Sequence, residues 1–158
     1  MRTTYTVLAY AIAVLIVVQA AAIAFALAGL GSWVQDGGVL DKALMENEED
    51  VPGFVVGFIV HGMNGQLLIP LLALVLLVVS FFAKLDKGVA LAAAVFGLVM
   101  VQVLLGMFSR GAELPLLGMV HGANALVLFT VVIVAARRAR RVGESAAAQV
   151  AVSHRATV

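Results

Sequence analysis

The chain has 158 residues, of which 63% are hydrophobic and only 12% charged, with a formal net charge of +1 and a mean hydropathy of +1.11. A soluble domain carries about 25% charged residues, so this composition excludes an ordinary water-soluble globule and points to lipid as the solvent. There is no cysteine, which rules out disulfides, iron–sulfur clusters, thiolate metal sites and covalent attachment of a c-type haem.

Asp, Glu, Lys and Arg are absent from 3–35, 51–83, 88–109 and 114–136. Each window exceeds the ~20 apolar residues that carry a helix across a bilayer, and four transmembrane helices are predicted. The first covers 6–30, with Tyr5 and Tyr10 near one interface and Trp33 near the other, as aromatic belts are placed. Arg2 and the later Ala26-Leu27-Ala28 look like parts of a cleaved leader. The apolar run is about twice the ~7–15 residues of a leader core, so a retained helix is expected. An acidic outer loop, 31–53, follows, in which six acidic residues face a single Lys42. Asp36-Gly37-Gly38 reads as a turn, and 39–46 as a short amphipathic helix on the membrane surface.

The second helix covers 54–83, entered through Pro52-Gly53 and kinked at Pro70, which can neither donate to the ladder nor avoid the preceding turn. A loop at 84–87 leads to the third helix, 88–108. A tight connection then leads to the fourth, 114–136, with Pro115 suited to its first turn. Arg137, Arg138, Arg140 and Arg141 end it, and 142–158, rich in Ala, Val and Ser without a period, reads as a disordered cytoplasmic tail. Arg2, Lys84, Lys87 and the four arginines share one side, against Lys42 and Arg110 on the other. The positive-inside rule then puts both termini in the cytoplasm, in a bacterial-type plasma (inner) membrane.

The chain also repeats itself. Gln19 with Phe25 in the first helix matches Gln102 with Phe108 in the third, and Val60-His61-Gly62-Met63-Asn64 matches Val120-His121-Gly122-Ala123-Asn124. The fold class read from this is an all-α, four-transmembrane-helix bundle built from two parallel two-helix repeats. His61 lies seven residues after Phe54 and His121 seven after Leu114. At ~1.5 Å per residue both sit ~10 Å below the outer surface.

Histidine inside hydrocarbon is costly and is retained to meet a partner, a cavity or a ligand. Two at one level, on parallel helices, could fill both axial positions of one haem iron through neutral ring nitrogens. Gly57 and Gly65, four residues either side of His61, and Gly118, Gly122 and Ala125 around His121, would leave flat space for a macrocycle. Asn64 and Asn124 are candidates to hydrogen-bond it, Gln19 and Gln102 to support the ligands, and Arg110 to pair with outward propionates. The competing readings are helix packing through small and polar residues, a copper or zinc site, a quinone site and a transport path.

The stretch 95–136, with Gln102-Val103-Leu104-Leu105-Gly106, Leu114-Pro115 and Val120-His121, resembles one four-helix half of the heme A synthase family, a likeness running over about 6–141. Members have two such halves, each with a haem-ligating histidine on its second and fourth helices, the positions of His61 and His121. The catalytic half has a glutamate three residues before the first of these, where this chain has Phe58, and an arginine after it, where this chain has Gly62. The family's outer-loop cysteines are also absent. The resemblance therefore implies haem binding and not oxidation of a haem methyl.

The expectation is a membrane protein holding one haem b, with His61 and His121 as metal ligands and no catalytic residue. Electron transfer or haem handling near the outer face is expected, with whether the chain is an enzyme left open. Its partners would be the bilayer and a quinone or extracytoplasmic redox protein, with homo-oligomerisation open and no nucleic acid. The alternatives are a cofactor-free accessory or assembly subunit and a histidine-based metal-ion protein.

Overall fold

The computed structural model describes residues 1–39, 52–109 and 115–156. Among these the chain is helical without strands: α1 Arg2–Gln35, α2 Val55–Ala83, α3 Gly88–Ser109 and α4 Pro115–Ala156. All four helices are long and apolar enough to cross a membrane. The surface segment expected at 39–46, most of the acidic loop and the connection after Ser109 lie outside the described residues, apart from Val39 and the loop's two ends.

The helices outrun the limits set by hydropathy. α1 begins at Arg2 and continues to Gln35, where Asp36 and Gly37 turn back onto the carbonyls of Ser32 and Val34. Gly37 takes φ +93°, a left-handed conformation that favours glycine, so the expected Asp36-Gly37-Gly38 turn is present. α4 differs more. It passes through its arginines and stays helical to Ala156, where a disordered tail was expected from 142 onward. Charge ends an apolar span but not a helix, because Arg and Ala are both strong helix formers. The Arg140–Glu144 pair (3.6 Å) adds an i,i+4 contact there.

Pro70 also acts differently from a bare kink. The turn before it, Asn64–Leu68, is a π-helical turn in which the Ile69 N–H reaches five residues back to the Asn64 carbonyl. Widening the helix by one residue moves the ladder away from the proline ring, and such turns often sit at functional sites.

Contacts at one end set the directions. Arg2 donates to the carbonyls of Ala83 (3.2 Å) and Lys84 (3.4 Å), and Tyr5 Oη donates to Gly88 O (3.1 Å). Arg138 pairs with Asp86. The start of α1, the α2–α3 turn and the arginine-bearing part of α4 therefore meet, and the helices alternate up and down. α1 and α3 each pack on both α2 and α4, so α2 and α4 face each other across a diagonal.

The continuous packed core lies at this end, with Ala26 and Phe54 buried apart from it. It is made of Tyr5, Ile12 and Ile16 on α1, Ala73 and Leu76 on α2, Ala92 to Val99 on α3, and Leu128 to Ala139 on α4. Alanines at Ala9, Ala73, Ala92, Ala135 and Ala136, all fully buried or nearly so, let the helices approach closely, as small residues do between membrane helices. In the other half, Val55–Met63 leans on α1, while the α2–α3 interface is carried by Ile69–Ala83.

Among the described residues, the Tyr5 hydroxyl makes the one buried side-chain bond tying α1 to the start of α3. Tyr5→Phe should leave the Gly88 carbonyl without that donor and lower stability by about 1 kcal/mol, read as an earlier unfolding midpoint in detergent micelles. The spectrum of any bound chromophore should stay unchanged.

Candidate functional site

Above the core the bundle opens. Ile16, Ile69, Val99 and Leu128, one from each helix, belong to the core and also line a cavity of about 1330 Å³. They form its floor. His61 and His121 line its walls, ~10–12 Å above the floor at 1.5 Å per residue.

Each histidine is held by the neighbouring helix of its own hairpin. The Gln19 amide donates to the His61 carbonyl (2.8 Å), while the His61 ring meets the Gln19 carbonyl through Nδ1 (3.1 Å). Gln102 and His121 do the same, at 3.0 and 3.1 Å. A carbonyl oxygen can only accept, so Nδ1 must carry the proton in both rings. In the neutral imidazole each Nε2 is then a bare lone pair, the state a ligating imidazole needs, with the other ring nitrogen fixed by a backbone carbonyl. Among the described residues no side-chain hydrogen bond at this level crosses between the hairpins. The two rings face each other across the diagonal with centroids 6.2 Å apart and planes at 55°.

The other expected residues divide. Gln19 and Gln102 line the cavity, as do Gly65, Gly118, Gly122 and Ala125. Gly118 and Gly122 have open space where a Cβ would stand, whereas a Cβ on Gly65 would run into the Gln19 amide.

Gly57, expected beside the ligand, lies against α1 instead: its missing Cβ would come within 2.6 Å of the Ala22 carbonyl. Positions i−4 and i+4 diverge from His61 by about 40° in opposite directions. One therefore falls towards α1 and the other towards the cavity.

The asparagines are turned the same way as Gly57. Asn64 donates to Leu15 O (3.1 Å) and Gln19 Oε1 (3.0 Å), and Asn124 to Leu98 O (3.1 Å) and Gln102 Oε1 (2.6 Å). Neither lines the cavity. Their amides orient the glutamines, which orient the histidines. The Asn64 Oδ1 is buried with no partner among the described residues. Arg110 lies outside the described residues.

Two features escaped the residue reading. Gly106, known there only as part of a motif, sits where a Cβ would come 3.2 Å from His121 Cε1, so α3 must be bare at that point for the ring to lie flat. Gln66, on the π turn, lines both the cavity and a small gap of about 40 Å³ that it shares with both histidines. A polar residue in a charge-free run was a visible signal at Gln66, but without an echo in α4 it carried no pattern. Among the described residues, no group of three or more His, Cys, Asp or Glu side chains converges as a metal cage.

Gly65→Ala is expected to push the Gln19 amide off the His61 carbonyl and to destabilise by roughly 1–3 kcal/mol through overpacking. Gly118→Ala, with open space, should be neutral or stabilising, since alanine is favoured over glycine within a helix by about 1 kcal/mol. Denaturant titration of both variants in micelles measures the contrast; equal effects would contradict the geometry at Gly65.

Comparison with protein-family models, with curated proteins and with solved structures finds no match.

Proposed function

We propose that this chain is a membrane b-type haem protein in which His61 and His121 are the two axial ligands. The observation that carries the reading is the spacing of the rings at the wall of the cavity. Two imidazoles bound to one ion through Nε2, at ~2 Å each, place their ring centres ~6 Å apart, and the centroids here lie 6.2 Å apart. Both Nε2 atoms are free by the tautomer argument, and both rings line one cavity. A bare zinc or copper ion would want further protein ligands, and none converges among the described residues. A porphyrin brings its own four nitrogens and asks the protein for only two. The open faces of Gly118 and Gly122 suit a flat ring lying close to backbone.

With both axial positions filled by protein, the iron offers no site to oxygen, which favours electron transfer or haem handling over oxygenation. The likeness to one half of the heme A synthase family rests on the residues already named, and it supports haem binding by the same two histidines. The matched bonds of the two hairpins, each made by Gln, His and Asn at corresponding positions, support an origin as two parallel repeats about an axis along the membrane normal. Arg2, Lys84 and Arg138 gather at one end, and the positive-inside rule makes that end cytoplasmic. The haem would then lie in the outer half of a plasma membrane, within reach of a quinone or an extracytoplasmic redox partner.

One observation favours a second reading, a cofactor-free accessory subunit. Each hairpin already pairs its own Gln amide and His Nδ1 internally, so these residues could serve as interhelical hydrogen bonds alone. Absorption spectra of detergent-purified protein, oxidised and dithionite-reduced, separate the two. The haem reading expects a sharp low-spin b-type spectrum that is lost or turned high-spin in His61→Ala and in His121→Ala. A protein that stays colourless after haem is supplied, with both variants indistinguishable from wild type, would sink it and leave the accessory reading.

A further inference from the structure

We propose that Gln66 marks a second binding place in the same cavity, on its lipid side, for the ring oxygen of a quinone-class molecule dissolved in the bilayer. Four polar side chains other than histidine line this cavity: Gln19, Gln102, Gln66 and Ser109, the last donating to the Gly106 carbonyl (3.1 Å). Gln19 and Gln102 are both committed to the histidine carbonyls. Gln66 makes no side-chain hydrogen bond to any described residue. An amide with no partner at hydrocarbon depth is costly, and polar groups kept there usually serve a ligand or a pathway.

The histidine framework does not call for it. Sixty residues on, the spacing that relates His61 to His121, the chain has Leu126, and that hairpin makes the same histidine bonds without an amide. Gln66 is therefore the polar group that breaks the likeness between the two halves of the site. Its backbone is unusual as well. It stands in the middle of the π turn, and Pro70 brings no N–H to the ladder, so a carbonyl of this turn lacks its helical donor. An amide and a freed carbonyl on one widened turn offer donors and acceptors together.

The cavity is open on this side. Met63 and Leu67, on the same helix, line it and are 61% and 65% exposed. They form an apolar lip facing the position of the acyl chains. Only a molecule dissolved in the bilayer can enter there. At about 1330 Å³ the cavity also exceeds the ~300–1,000 Å³ of a pocket for one small ligand. A flat apolar ring whose oxygens alternate between accepting and donating fits an amide, which can do either. The choice of a redox-active ring over another amphiphile rests on the haem reading; the position at Gln66 does not.

The test uses the full chain in detergent, with a decyl-substituted benzoquinone as the probe and calorimetry as the readout. Wild type is compared with Gln66→Leu, which restores the residue of the α4 position and removes an unpartnered polar group from an apolar surface. Its unfolding midpoint should therefore equal or exceed that of wild type. Saturable binding by wild type, about tenfold weaker in Gln66→Leu, is the expected result. No binding, or equal binding by both proteins, overturns the proposal. Haem spectra of the same samples keep the two readings apart. Gln66-dependent binding to a protein without haem supports the site and removes the haem reading. A normal b-type spectrum with Gln66-independent binding does the reverse.

Discussion

The histidine-bearing half of this bundle depends on a reciprocal pair of hydrogen bonds made twice. A histidine gives Nδ1–H to the backbone carbonyl of a glutamine on the next helix, and that glutamine's amide returns a bond to the histidine's own carbonyl. In hydrocarbon neither side chain has water to fall back on, so leaving one unpaired would cost roughly 1–3 kcal/mol. The pair therefore sets the register of α1 against α2 and of α3 against α4. It also fixes the imidazole tautomer. The asparagine amides, bonded to the glutamine Oε1 atoms, hold the next link in place.

Every one of these bonds closes within a hairpin, and at this level the two histidine rings approach each other between the hairpins. The joining of the hairpins is left to the other half. There, alanines at the crossing points bring backbones together and Val, Leu and Ile fill the space between. Above the floor of Ile16, Ile69, Val99 and Leu128, glycines stand at the wall where packing would need side chains. One half of the bundle is solid and the other hollow by choice of residue size. A flat ligand held by two imidazoles would supply there the packing between hairpins that side chains supply below.

Much of this was legible in the residues. Four charge-free windows gave four apolar helices. The echo of V-H-G-x-N in two helices running the same way put the histidines at one depth, and the structure brings the ring centroids within 6.2 Å of each other. The glutamines were expected beside the histidines, and each donates to the carbonyl of one. The misplaced residues share one cause. Gly57 and both asparagines share a helix face with their histidine in a coarse projection, yet an offset of about 40–60° turns them to the neighbouring helix instead of the cavity. The length of α4 was misjudged because hydropathy reports where lipid ends, and helix propensity continues past it.

The sequence by itself determined the solvent, the number of spans, the level of the histidines and the basic end of the bundle. All of these follow from what single residues and their spacing prefer. Which face of each helix meets which neighbour was decided by the tertiary structure alone: the diagonal placing of α2 and α4, the tautomers, the floor of the cavity and the isolation of Gln66. These are properties of pairs of helices. In a chain whose helices are apolar on every side, no amphipathic stripe announces the partner, and only the packing of small residues and the pairing of polar groups selects it.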